Sequence, residues 1–262
     1  MKCQGLAAET VKSRIDTMKH VSRMLKTEIE NVSTDQLTKW VALQQWAPET
    51  RRRYYTTLKL FFSFSVTTRA ALINPAIDLP TVRIPKPYPR AIPDPILIAA
   101  INECGDRLTR LVLLIAAETG ARRSEIAQIQ PNRDLLYTHN GWSLYLHGKG
   151  NKKRLVPITN RLASEIRKWS GQASRWLFPS TQSTTGHLSP SHIGKLASRN
   201  LPAGWTLHTL RHRFATIANE QTGDLAALQQ LLGHESLATT QRYVNPSDAR
   251  MRRLVDAVAL ER

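Results

Sequence analysis

The sequence predicts a mainly helical chain of two domains, with one small β-hairpin or sheet in the second. Three observations predict it. Apolar residues recur at helical spacing along most of the chain, and one stretch near the middle alternates at period two around a Gly-rich turn. Six of the fourteen prolines fall between residues 80 and 95. At 262 residues the chain divides more naturally into two domains than one.

Residues 8–27 place Val11, Ile15, Met18, Val21 and Leu25 on one helical face. Ser33, with Gln36 three residues on, forms a capping box that opens a helix through Trp40 and Leu43. Pro48 stands where a third helix begins, and ETRRRYYTTLKLFFSFSV then turns Tyr54, Leu58, Phe61, Phe62 and Val66 inward. Arg51, Arg52 and Arg53 lie in its first turn, where the helix dipole disfavours cations. They are either contacts for an outside anion or a solvated charge run. Next, Pro80, Pro85, Pro87, Pro89, Pro93 and Pro95 make a semi-rigid linker, residues 80–95. At about 3.1 Å per residue it reaches on the order of 50 Å, enough for two domains to close round opposite sides of a partner.

Beyond the linker, residues 96–101 and 108–117 read as helices, and ARRSEIAQI as another that Pro131 stops. WSLYLHGKGNKKRLVPIT is a hairpin with a basic tip. Leu144 and Leu146 alternate on its first strand, and Leu155 precedes a Val156, Pro157, Ile158 end on the second. Helices return from Ser191, and Gly233 stops LAALQQLL.

Charge narrows the class. The formal net charge is +17, yet 41% of residues are apolar, which excludes a disordered basic tail. Residues 1–90 carry 15 Lys/Arg against 7 Asp/Glu and the remainder 22 against 13, so both parts are basic. That distribution points to nucleic acid, with a generally basic surface as the plainer alternative. Cys3 and Cys104 are the only cysteines and form no C-x-x-C, so neither a zinc ribbon nor a disulfide framework is expected. The longest apolar run, LVLLIAA, is too short to span a membrane, and MKCQGLAAETVKSR lacks the apolar core of a signal peptide. With no G-x-x-x-x-G-K-[ST] either, the expectation is a cytosolic protein without a nucleotide or metal site.

Chemistry gathers in three stretches. HTLRHRFAT sets His208, Arg211 and His212 on one helix face at i, i+3 and i+4, beside the core-like Leu210 and Phe214. A guanidinium matches two phosphate oxygens with a fork of charge-assisted hydrogen bonds, and an imidazole donates or takes a proton near neutral pH. The histidine pair lacks a carboxylate and a third ligand, which argues against zinc. ETGARRSE carries Arg122 and Arg123 directly after a buried-looking helix. LLGHESLATTQRYV places His234 after a helix stop and Tyr243 nine residues later. Taken singly, each is as well explained by a surface pair, a satisfied histidine or a packed tyrosine.

Together they resemble the tyrosine recombinases, or phage integrases. Thr119, Gly120, Arg122, Ser124 and Glu125 match the box T-G-x-R-x-S-E, and His208, Leu210, Arg211 and His212 match H-x-L-R-H. Leu232, Gly233, His234 and Tyr243 match L-G-H followed by tyrosine, and residues 148–154 match the hairpin G-K-G-N-K-x-R. Asn74, Pro75 and Ala76 fall where the family's N-terminal domain usually ends. The resemblance runs from about residue 8 to about residue 247. It implies a helical, SAM-like core-binding domain at 1–79, a mixed α+β catalytic domain at 96–247, and a tail at 248–262 that either docks on a neighbouring protomer or packs on its own domain.

By that resemblance Tyr243 attacks a DNA phosphorus, leaving a 3′-phosphotyrosine and a free 5′-hydroxyl. A phenol with a pKa near 10 is ionised in only about one molecule in a thousand at pH 7, so it needs help. His208 is the base or positions that proton, Arg122 and Arg211 clamp the non-bridging oxygens, and His234 adds a hydrogen bond. Lys149 protonates the leaving 5′-oxygen; Lys152 and Lys153 share its turn, but Lys149 holds the G-K-G position. Glu125 and His212 support the site, while Arg51, Arg52, Arg53, Lys152 and Arg154 are candidate DNA contacts. Neither ATP nor a metal is required: the phosphotyrosine keeps the bond energy, and cationic side chains stabilise the phosphorane-like state. The implied partners are double-stranded DNA core or attachment sites and a homotetramer on two duplexes, with or without a directionality factor. Helices that begin within the first ten residues leave no room for an arm-binding module. A type IB topoisomerase or a non-catalytic DNA-binding protein on the same scaffold remains as an alternative.

Overall fold

A computed structural model describes residues 8–84, 90–148, 152–170 and 175–233. The chain divides into two units, Met1–Pro87 and Tyr88–Arg262.

In the first unit, α1 (Ala8–Leu25), a turn of 3-10 helix (Ile29–Asn31), α2 (Thr34–Ala42) and α3 (Pro48–Thr67) pack round one core. The Ser33 hydroxyl accepts from the Gln36 amide at 3.2 Å and Gln36 Oε1 accepts from the Ser33 amide at 3.1 Å, so the capping box forms as the sequence predicts. Pro48 is the first residue of α3, where its missing N–H is not needed. Val21, Leu37, Leu58, Phe62 and Ala76 are fully enclosed, each contributing about 1.5–3 kcal/mol of burial except the small alanine. Asn74 Oδ1 accepts from the Ala76 amide at 2.9 Å and its Nδ2 donates to Ser63 Oγ at 3.0 Å, tying the segment after α3 back to that helix.

Three positions in this unit need correction: Ile15 and Val66 are exposed, and Leu43 lies beyond the end of α2 in solvent, whereas Phe61 is partly buried and packs against the core as expected. Helix α1 packs through Met18, Val21 and the partly buried Leu25 as expected, with Thr17 beside them; Ile15 sits one turn before Met18, at the margin of that stripe.

The second unit orders α4 (Asp94–Asn102), α5 (Arg107–Thr119), α6 (Arg123–Ala127), α7 (Pro131–Asp134), β1 (Leu135–Thr138), β2 (Gly141–His147), β3 (Lys153–Pro157), α8 (Asn160–Ser170), α9 (Pro190–Asn200), α10 (Leu207–Thr222) and α11 (Leu225–Leu232). Helix α5 is central: Val112, Leu113, Ile115 and Ala116 are wholly enclosed, with α4, α6, α8, α9 and α10 packed against it. The Asp106 carboxylate caps its start, accepting from the amides of Leu108 and Thr109.

The sheet is larger than a hairpin. β1 adds antiparallel to β2, giving the order β1-β2-β3. The register pairs Leu144 with Val156, placing both in the core, whereas Leu155 faces the other side and is 43% exposed. The expected helix over ARRSEIAQI shortens to the five residues of α6. Pro131 does not stop a helix but starts one, as the first residue of α7. Helix α8 was not expected from the sequence.

Candidate active site

Thr119 and Gly120 set the first wall. The buried Thr119 hydroxyl donates to the Ile115 carbonyl at 2.6 Å and accepts from the Ala121 amide at 3.2 Å, which closes the turn after α5. Gly120 ends α5 with φ 61°, in the left-handed region. A Cβ there would lie 2.8 Å from Phe214 Cδ1 and 3.1 Å from Leu232 Cδ2, so both conformation and space demand glycine. The turn delivers Arg122 to the position just before α6.

Glu125, one turn into α6 and 1% exposed, accepts from the Arg122 amide at 2.8 Å through Oε2 and from Arg122 Nη1 at 2.8 Å through Oε1. Arg154, reaching from β3, donates from its two Nη atoms to the same two oxygens at 2.7 Å each. Burial pushes the Glu125 carboxyl up, but Arg154 and then Arg122 outweigh it and hold the group below the usual glutamate range.

Helix α10 supplies the second wall. The Thr206 hydroxyl caps it by accepting from the His208 amide, so His208, Arg211 and His212 fall on its first turns. Arg211 is buried against the core; its Nη1 donates to the Gly120 carbonyl at 2.5 Å and its Nη2 to the Leu232 carbonyl at 2.6 Å. The His208 and His212 rings meet edge to face at 4.2 Å. Burial, then the charges of Arg211 and Arg122, hold the His208 imidazole below its ordinary value.

The last turn of α11 completes the described part. Its final carbonyls have no helical partner. Arg154 Nε donates to the Leu231 carbonyl at 2.7 Å and Arg211 to that of Leu232. Arg122 reaches the carbonyls of Leu232 and Gly233 at 3.4 Å each. Three cations thus gather at the negative end of this helix, where Gly233 closes it with φ 61°.

Between these walls lies a cleft of about 660 Å³ lined by Arg122, Arg123, Lys195, His208, Arg211 and Ser191, among others. Arg122 keeps 40% of its side chain exposed. Ser191, Lys195 and Ser198 stand on one face of α9 at i, i+4 and i+7, and Arg123 lies 3.7 Å from where a Gly194 Cβ would be. The sequence gives this face no distinct signal, because His192, Arg199 and Asn200 make the rest of α9 polar as well.

The other expected positions fall differently. Arg154, expected among the DNA contacts, has a side chain only 9% exposed and engaged by Glu125 and Leu231. Lys152 is exposed at the hairpin, where its carbonyl accepts from the Gly148 amide at 2.7 Å. Arg52 and Arg53 are exposed on α3 of the first unit, while Arg51 is partly covered and donates to the Gln44 carbonyl at 3.5 Å. Lys149, His234, Tyr243 and the tail 248–262 lie outside the described residues. Among the described residues no three His, Cys, Asp or Glu side chains come together as a metal site, and no helix is long and apolar enough to cross a membrane.

Comparison with known proteins gives consistent matches. The Phage integrase family model matches residues 95–250. Tyrosine recombinase XerC of Alcanivorax borkumensis is 31% identical over 215 residues, spanning 75% of this chain and 69% of that protein. Tyrosine recombinase XerD of Staphylococcus saprophyticus is 28% identical, spanning 96% of this chain and 92% of that one. Among solved structures, a lambda integrase dimer bound to a COC′ core site superposes with a TM-score of 0.73 at 17% identity, covering 92% of this chain and 72% of that chain, a likeness of fold.

Proposed function

The chain belongs to the phage integrase family of tyrosine-type site-specific DNA recombinases, and from that premise we propose how its own residues divide the work of cutting and rejoining a strand. The observation that carries the proposal is the meeting of Arg122, His208 and Arg211 round one cleft, although they come from segments nearly ninety residues apart. Fixed guanidiniums at a pocket of this kind stabilise the extra charge that builds on a phosphate under attack, without reorganising at the moment of reaction. Arg122 and Arg211 hold the non-bridging oxygens. His208, whose imidazole burial and the charges of Arg211 and Arg122 hold below its ordinary value, takes or steers the proton of the attacking phenol.

The nucleophile is Tyr243, which attacks phosphorus; the P–O bond to the 5′-oxygen breaks, the 3′-phosphate stays on the tyrosine, and Lys149 gives the departing oxygen its proton. His234 adds a hydrogen bond to the same phosphate. Attack by a 5′-hydroxyl from the partner duplex reverses these steps, so the linkage energy is conserved. Arg123, Lys195, Ser191 and Ser198 take neighbouring phosphates along the cleft. The first unit, with Arg52 and Arg53 exposed on α3, grips the same core DNA. A tetramer on two duplexes with inverted-repeat core sites, tails docked between protomers and an accessory directionality factor fit this scheme, which operates in the cytoplasm.

Covalent capture tests it. Wild-type protein and Tyr243→Phe are incubated with a pool of nicked duplexes that trap the attacked strand, and the DNA joined to protein is sequenced. A tyrosine-dependent adduct on one inverted-repeat sequence is expected. Tight binding without an adduct, or an adduct spread over all sequences as a topoisomerase gives, refutes it.

A further inference from the structure

Arg154 and Glu125 form a closed fork: two Nη–Oε bonds at 2.7 Å each, within a side chain 9% exposed and a carboxylate fully buried. Arg122 draws on the same carboxylate differently, with one Nη1 bond at 2.8 Å and its backbone amide, while 40% of its side chain remains open to the cleft. One anion therefore serves two cations, and the buried one takes the stronger geometry.

From this we propose that Arg154 is a positioning residue for strand cleavage: it saturates Glu125 so that Arg122 keeps its charge for the phosphate. Without Arg154 the carboxylate would turn its full attraction on Arg122, one helical turn away, and close that guanidinium into a fork of its own. The second task of Arg154 is mechanical. Its Nε holds the Leu231 carbonyl at 2.7 Å, and a Cβ on Gly233 would come within 3.2 Å of its Cδ and Nη1. It thus joins the arginine box, the β3 strand and the end of α11 in one contact set. This inference rests on the role proposed above for Arg122.

The test separates charge from packing. Single-turnover adduct formation on the nicked duplex is measured alongside DNA affinity for wild type, Arg154→Met, Glu125→Gln and the double variant. Arg154→Met is expected to slow cleavage by about a hundredfold, the scale of losing one oxyanion donor, with affinity changed less than about threefold. Adding Glu125→Gln removes the anion that captures Arg122, and is expected to restore at least about tenfold of that rate. A purely structural role predicts the opposite, a double variant as slow as or slower than Arg154→Met, and that result overturns the proposal. So does a wild-type rate in Arg154→Met. If the methionine variant melts below the assay temperature, Arg154→Lys replaces it in the same comparison: its point charge holds one oxygen at a time, the rate falls about tenfold, and Glu125→Gln restores it. Failure of that rescue counts equally against the role of Arg154. Absence of a Tyr243-dependent adduct from the wild-type chain overturns the underlying reading instead.

Discussion

Replacing Gly120 by alanine isolates how tightly the arginine box is packed, because two other glycines supply the controls. At Gly105 a Cβ meets nothing within 4 Å and φ is not positive. At Gly141 φ is 96°, but again nothing lies within 4 Å. Gly120 has both problems, φ 61° and a Cβ only 2.8 Å from Phe214 and 3.1 Å from Leu232. Gly105→Ala should therefore be neutral or stabilise slightly, by up to about 1 kcal/mol, through the unfolded chain. Gly141→Ala carries the dihedral penalty alone, about 1 kcal/mol. Gly120→Ala adds an overpacking cost of about 1–3 kcal/mol, for a total of about 2–4 kcal/mol. In a unit of this size that lowers the melting temperature by roughly 5–15 °C, against about 2–4 °C for Gly141→Ala. Calorimetry of the full chain, read at the transition of the second unit, measures all three. A Gly120→Ala midpoint within 2 °C of that of Gly141→Ala would show that Phe214 and Leu232 yield freely. It would also break the claim that space, as well as conformation, demands glycine at the turn that delivers Arg122.

Two further predictions concern the cleft. Since burial and two arginines hold His208 below its ordinary value near 6.5, the neutral form persists below that pH. The rate of adduct formation should rise through a limb centred below 6.5, and a limb centred at or above 6.5 contradicts the base assignment. DNA binding should weaken steeply with salt, and Arg123→Ala or Lys195→Ala should each reduce the slope of log affinity against log salt by about 0.9; an unchanged slope removes that side chain from the phosphate contacts.

Much of this protein was legible in its sequence. The capping box at Ser33 and Gln36, the helix start at Pro48 and the left-handed stop at Gly233 are local events, set by residues within four positions of one another. The family boxes were legible for the same reason, since a few chemical groups at fixed spacing survive as a pattern. β1, α8 and the outward face of Leu155 were not, because short apolar segments carry too little periodicity to choose between helix, strand and loop, and the register of β2 with β3 decides which face is covered.

Nor does the sequence distinguish its arginines. Arg122, Arg154 and Arg211 carry the same charge on the same stem, yet one opens to the cleft, one is locked on Glu125 and one is buried on the carbonyls of Gly120 and Leu232. Local chemistry pointed to an anion site and to the residue types that would serve it. The tertiary structure decided which guanidinium stays open to the cleft and which are held on a carboxylate or on backbone carbonyls, because Arg154 meets Glu125 across 29 residues and Arg211 meets Gly120 across 91. Burial and pairing at such separations are fixed only by the packing of α5, α10, α11 and β3 against one another.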